Sequence, residues 1–398
     1  MNQVMRENDS AIFKDQKKLA PTYIPRNLLH REEQIQELNK IYRPGLNNIH
    51  ESYLQVVRVV GPVGSGKTCT VTWFKHIIQD IADRQQLPLK VIYVNCKSMA
   101  RNPRSLYKII YEKATGKNKQ NYSREEFLTQ LISHLKETKK YIFIILDDID
   151  YLLATTENNL HDGGVVYDLS RLNELTPGEP DNVLGLILVG REGLTEYLVP
   201  CEKSSLGLLK IKLSAYDRNQ LREIIARRSR IAFKTDCVSK AVLDYVADLS
   251  AGRQTNPGDC RFALDLLYFS GIKADQSLSS KITLEHVRSV YSVNLHGPSV
   301  EVFKQLGTDY HIVIWAIIHA LEGAKANAYK DLHAVNDYCR AECEEKDRPP
   351  LSYSKVREII IELDMLEVVL YKKGKGVGIA GTSLKKLKQK LKTMEKLQ

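Results

Sequence analysis

The run Gly61-Pro62-Val63-Gly64-Ser65-Gly66-Lys67-Thr68 has the composition and spacing of a loop that holds phosphate. Glycines let successive backbone N–H groups curl around an anion, and a helix that follows presents its positive end to the same charge. The lysine reaches the β and γ phosphates of a nucleotide, and the threonine hydroxyl can ligate Mg²⁺. Pro62, Val63, Gly64, Ser65, Gly66, Lys67, Thr68 and Cys69 are therefore the nucleotide-binding candidates, and Lys67 is also a catalytic one. A second feature stands about eighty residues further on, where the apolar run 142–146 ends in Asp147-Asp148. That pattern puts a carboxylate at the tip of a buried strand. Asp147 is suited to holding Mg²⁺ together with Thr68, and Asp148 to polarising an attacking water, a task more often given to the longer glutamate. A turn at a strand end would also contain two carboxylates, but the phosphate loop weighs against that bland explanation.

Such residues need an open parallel sheet to bring them to one edge. From Pro21 to about Leu213 short β-branched runs alternate with helical segments, which is the pattern of a sheet covered by helices. The spacing predicts strands over 54–60, 89–95, 141–147, 183–189 and 208–213, with helices over 71–84 and 124–137 among them. The strand at 89–95 falls between the loop and the acidic pair, an insertion found in ring-forming and switch-type ATPases and usually lacking in small-molecule kinases. After 213 the strand-like runs stop, and 218–230, 238–249, 259–272 and 284–294 read as a helical bundle, with Asp259 placed to cap its third helix. His296, Gly297 and Pro298 form the expected hinge. The last unit reads helix (309–321), helix (328–344), a Pro-Pro break, helix (352–364) and a hairpin (366–380), the order of a winged helix.

Composition narrows the partners. The chain has 398 residues, enough for two to four domains, and its 43% hydrophobic and 27% charged content suits ordinary globular units. No 18 consecutive apolar residues occur and the first residues lack the apolar core of a secretory signal, so a cytoplasmic location is expected, with reduced thiols at the seven scattered cysteines. The first twenty residues, polar and charged with one short apolar cluster at Ala11, Ile12 and Phe13, read as a mobile arm that orders only against something else. The net charge of +10 favours a polyanion, and nine lysines against one acid between Lys372 and Gln398 locate much of it. Ser352, Ser354, Lys355 and Arg357 would enter a major groove from the third helix, while Lys372, Lys373 and Lys375 at the hairpin tip would follow the phosphate backbone or a minor groove. The lysines from Leu384 onward read equally as a solvated helix face. Lys97, Arg101 and Arg104 open a second basic cluster.

Several stretches taken together resemble the archaeal origin-recognition initiators, which are related to the eukaryotic origin-recognition and replication-licensing ATPases of the AAA+ class. They are Tyr23-Ile24-Pro25 with His30-Arg31-Glu32-Glu33-Gln34-Ile35, the phosphate loop, Leu146-Asp147-Asp148-Ile149-Asp150, Tyr216-Asp217 with Gln220-Leu221, and the eight residues from Gly258 to Asp265. The likeness runs from about Tyr23 to the C-terminal hairpin. It implies an α/β fold: a AAA+ phosphate-loop parallel sheet (21–213) after the arm (1–20), a helical lid (214–297) and a winged-helix domain with a Lys-rich tail (298–398). It implies ATP/ADP and Mg²⁺ as cofactors, with Ile24, Pro25 and Arg31 bordering the adenine, Tyr216 flanking it and Arg261 contacting phosphate. The cluster at Lys97, Arg101 and Arg104 would press on DNA. The implied partners are double-stranded origin DNA, the replicative helicase and paralogous initiator subunits, with no membrane, at a nucleoid-associated location. Two departures bear on turnover: the fourth strand ends Val189-Gly190-Arg191 where the family has a polar sensor, and Cys201 stands where it has an arginine finger. The implied activity is slow ATP hydrolysis used as a switch, the alternative being a nucleotide-locked DNA-binding regulator or repressor.

Overall fold

In this computed structural model, residues 10–25, 27–100, 102–154, 164–175, 182–253, 255–294, 306–322, 327–366, 368–379 and 383–395 are described. The chain divides into two units, Ile24–Ala215 and a second formed by Met1–Tyr23 with Tyr216–Gln398.

All five expected strands form in the first unit: β1 (Gln55–Val60), β2 (Leu89–Asn95), β3 (Tyr141–Asp147), β4 (Val183–Gly190) and β5 (Lys210–Lys212). They make one parallel sheet in the order β2-β3-β4-β1-β5. β3 and β4 are buried along their whole length, which is why both read as unbroken apolar runs rather than alternating ones. On one face, Tyr42 and Phe74 from the helices Glu32–Asn47 and Lys67–Arg84 pack against Phe143. On the other, Tyr107, Phe127 and Leu131 from Pro103–Thr115 and Arg124–Thr138 cover Ile142 and Ile144. Each such side chain contributes about 1.5–3 kcal/mol when taken from water, so the sheet is held from both sides. β5 is shorter than its apolar run because Leu208 is 96% exposed beside the turn at Gly207.

Register decides where the chemistry can sit. Val60 lies opposite Gly190, Leu146 opposite Leu188, and Asn95 opposite Asp147. The C-terminal ends of β1 to β4 thus lie level, and the loop after β1 and the acids after β3 emerge at one edge with β4 between them. Ligands of open α/β sheets bind at that edge.

In the second unit the helices Arg218–Ala232, Lys240–Ala251, Cys260–Gln276 and Leu284–Asn294 form the expected bundle. Asp217, Ser239 and Asp259 accept backbone N–H bonds at the starts of the first three. Thr308–Glu322, Leu332–Glu345, Tyr353–Met365 and the antiparallel hairpin β6 (Val369–Lys372) and β7 (Gly376–Ile379) follow in winged-helix order. Among the described residues no helix is long and apolar enough to cross a membrane.

Three expectations change. The arm is tied down from Ser10 onward: Ile12, Phe13 and Leu19 are buried in the bundle core, and the Arg228 guanidinium donates to the carbonyls of Lys18, Ala20 and Tyr23. The second winged-helix helix starts at Leu332 rather than Ala328, because Lys330 exchanges backbone hydrogen bonds with Val377 and Asp331 caps the helix. The lysine-rich tail folds as Leu384–Glu395 and buries Leu387 and Leu391. The expected hinge at 296–298 and Arg101 lie outside the described residues.

Candidate nucleotide site

The phosphate loop is shaped by its glycines. Gly64 and Gly66 have φ of 74° and 86°, left-handed backbone that glycine adopts without a Cβ penalty, and Gly66 caps the helix Lys67–Arg84. Lys67 is the first helical residue, so its amide belongs to the anion-binding end of an eighteen-residue helix. Its Nζ donates to the carbonyls of Gly61 and Pro62, each at 2.8 Å. Burial lowers the Lys67 pKa, against the opposing pull of Asp147, Asp148 and Asp150.

Arg31 supports the loop from beneath. It is 4% exposed, and its guanidinium donates to Ser65 O at 3.0 and 2.8 Å and to Ser214 O at 2.7 Å. A rigid planar cation thereby ties the loop backbone to the chain leaving β5. Arg31 thus braces the loop, and a place beside the adenine remains a proposal for it. Ile24 and Pro25 are half-buried in the same unit. Tyr216 and Arg261 belong to the other unit, Tyr216 in the bundle core and Arg261 exposed in the first turn of Cys260–Gln276.

Asp147 is fully buried at the end of β3. Tyr93 Oη donates to its Oδ2 at 2.8 Å, the Thr68 hydroxyl is also hydrogen-bonded to it, and the Asp148 amide donates to its Oδ1 at 3.0 Å. Burial raises its pKa in spite of these neutral donors. Asp148 has φ of 52°, a left-handed conformation unusual for a residue with a Cβ, and Asn95 Nδ2 donates to its Oδ2 at 3.0 Å. Tyr93 and Asn95 escaped the sequence reading. They project from the same face of β2, and only the folded register, which sets Asn95 beside Asp147, brings them to the site.

The residues present fit a nucleotide and its divalent cation. A hydroxyl and a carboxylate already share a hydrogen bond at the mouth of a glycine loop whose helix begins with lysine. Among the described residues no group of three or more His, Cys, Asp or Glu side chains could hold a metal ion. At the end of β4 the exposed Arg191 pairs with Asp150 at 3.4 Å. Cys201 is exposed in the short helix Pro200–Ser205.

Comparison with known proteins decides the family. Residues 222–292 match the model of the Cdc6 AAA+ ATPase-type lid domain, and residues 50–198 match an AAA domain. The ORC1-type DNA replication protein of Pyrococcus furiosus is 31% identical over 363 residues, which span 90% of this chain and 83% of that protein. This chain belongs to the ORC1-type DNA replication proteins. The corresponding protein 1 of Methanosarcina acetivorans is 27% identical over 359 residues, again with 90% and 83% covered. Crystalline Cdc6p from Pyrobaculum aerophilum shares the fold with a TM-score of 0.85 at 24% identity, covering 97% of this chain and all of that one. The Aeropyrum pernix ORC1 protein, solved in complex with DNA, has a TM-score of 0.61 at 24% identity over 98% of this chain and all of that one. The fold is therefore a AAA+ phosphate-loop sheet with a helical lid and a C-terminal winged helix.

In this ORC1-type chain the basic candidates differ in availability. Ser352 caps Tyr353–Met365, and Ser352, Ser354 and Arg357 are exposed, whereas Lys355 Nζ lies 3.2 Å from Glu358. Lys373 is exposed at the hairpin tip and Lys372 is partly buried. Lys375 is paired to Asp248 at 2.9 Å. Lys97 is exposed, and Arg104 donates to the carbonyls of Gln120 and Tyr122, which fastens the loop before Arg124–Thr138.

Proposed function

We propose that this ORC1-type protein is an ATP-binding replication initiator that binds duplex origin DNA and uses slow ATP hydrolysis as a switch. The observation that carries the nucleotide half is the alignment of the Lys67 helix with Asp147 and its Thr68 hydrogen bond at one sheet edge. Lys67 and the loop amides would hold the triphosphate, and Thr68 and Asp147 would hold Mg²⁺, which supplies charge neutralisation when bound. Asp148, steered by Asn95, would orient the water. Tyr216 and Arg261 are proposed nucleotide contacts on the family likeness, as are the helicase and paralogous subunits as partners.

The DNA half rests on the exposed Ser352, Ser354 and Arg357 face of a winged-helix third helix, on Lys373, and on the DNA complex solved for the Aeropyrum pernix ORC1 protein. Lys97 and Arg104 are proposed as a weaker second contact. Slow turnover is favoured by Gly190 and the Arg191–Asp150 pair at the end of β4, and by an aspartate at position 148. The same pair favours the second reading, a regulator that holds its nucleotide without turning it over. Calorimetric titration of Mg²⁺–ATP and a fluorescent duplex into the full chain tests both halves. The proposal expects micromolar or tighter nucleotide binding that Lys67→Ala removes, and duplex binding that Arg357→Glu weakens; nucleotide binding indifferent to Lys67 would overturn it.

A further inference from the structure

The wing carries a cation that is already engaged. Lys375 Nζ lies 2.9 Å from Oδ2 and 3.3 Å from Oδ1 of Asp248, a residue 1% exposed on the bundle helix Lys240–Ala251. The same carboxylate accepts from Arg218 Nε at 2.6 Å and from Tyr329 Oη at 2.8 Å. Apolar and backbone contacts bring the hairpin to this place. Leu370 and Ala328 belong to the bundle core, the Tyr245 hydroxyl donates to the Ile379 carbonyl, and Lys330 exchanges backbone hydrogen bonds with Val377 of β7. Gly376, at φ of 105°, allows the closest approach, since a Cβ there would meet Lys330 O at 1.9 Å.

The cluster carries one cation more than it needs. Arg218 and Arg222 pair with Asp244, and Arg218 and Lys375 pair with Asp248, so three cations face two carboxylates. Remove Lys375 and the cluster is balanced, with Asp248 still held by a guanidinium and a phenol. Departure of this lysine strands no buried charge, whereas departure of Arg218, which bonds both Asp244 and Asp248, would unlink the two carboxylates. Lys375 is also the member of the cluster that remains 39% exposed and sits in the hairpin turn.

We propose that Asp248 is an autoinhibitory latch on the wing: it occupies the Lys375 ammonium and holds the hairpin against the bundle, and a DNA phosphate competes with it for the same cation. This deepens the DNA-binding reading and rests on it. The latched wing offers Lys373 to a duplex, and the released wing adds Lys375.

The test uses the full chain, a fluorescein-labelled duplex of mixed sequence, and hydrogen exchange of the hairpin amides (residues 369–379) without DNA. Asp248→Asn should speed hairpin exchange while Tyr353–Met365 stays protected. It should also tighten duplex binding by about tenfold and steepen the salt dependence by about one phosphate contact. Lys375→Gln opens the latch from its exposed side; it should speed the same exchange but weaken duplex binding. Folded Asp248→Asn with unchanged or weaker duplex binding overturns the latch, and so does unaltered hairpin exchange in Lys375→Gln, which decides the matter should Asp248→Asn fail to fold. A wild-type chain with no duplex affinity would instead sink the DNA-binding reading, and hairpin exchange would still test the contact.

Discussion

Asp147 and Asp248 are both buried carboxylates, and their pKa values move in opposite directions. Asp147, at the end of β3, receives a phenol, a hydroxyl and a backbone amide, all neutral, and burial carries its pKa upward. At Asp248 burial pulls the same way, but hydrogen bonds from Arg218, Lys375 and Tyr329 outweigh it and the pKa falls. A carboxylate whose hydrogen-bond donors are all neutral still lacks the cationic partner that would favour its charged form, and a ligand's cation could supply it, whereas one paired to two cations is already spent on structure. The difference separates the carboxylate proposed to bind from one that fastens, although burial alone would rank them alike.

Four substitutions probe that contrast. The largest effect is expected from Lys67→Ala, which should weaken Mg²⁺–ATP binding at least a hundredfold while leaving the melting profile of the ligand-free chain unchanged; isothermal titration and calorimetry read the two parts. Next, Asp248→Asn should destabilise its unit by about 3 kcal/mol, because a buried ion pair loses one partner. Urea denaturation followed through hairpin exchange measures it, and an unchanged midpoint would demote Asp248 to a bystander. Tyr93→Phe removes one neutral donor from Asp147 and should raise its pKa further, costing nucleotide affinity a few-fold and only in the presence of Mg²⁺. Arg191→Asn, which frees Asp150, should raise turnover by a few-fold, and brisk hydrolysis by the unaltered chain would contradict the slow-switch reading.

The pH dependence follows with opposite signs. Asp147 binds its proton more tightly folded than unfolded, so it favours the fold at low pH and loses that contribution as pH rises through its folded value. Asp248 contributes above the unfolded carboxylate value and loses that contribution as pH falls through its depressed folded one. From about pH 5 to about pH 8 the stability gap between wild type and Asp248→Asn should therefore hold constant.

Much of the candidate site's geometry was legible because it is local. Eight consecutive residues carry the phosphate loop, and a buried strand advertises its own end by the switch from Leu146 to Asp147. Tyr93, Asn95 and the bracing role of Arg31 were not legible, since each acts across strands whose register only folding fixes. The arm misled for a related reason: Ile12, Phe13 and Leu19 look isolated in sequence but meet a ready apolar surface on the bundle. Lys375 reads as one more basic residue of a hairpin tip. Its engagement depends on Asp248, 127 positions away in the chain.

The most direct test melts Asp147→Asn and Asp248→Asn side by side, with and without Mg²⁺–ATP. Without ligand, Asp147→Asn should melt at or above the wild-type temperature and gain nothing from Mg²⁺–ATP, whereas Asp248→Asn should melt lower and keep the full ligand-induced rise. A ligand-induced rise retained by Asp147→Asn, or lost only in Asp248→Asn, would contradict the assignment of binding to one carboxylate and fastening to the other.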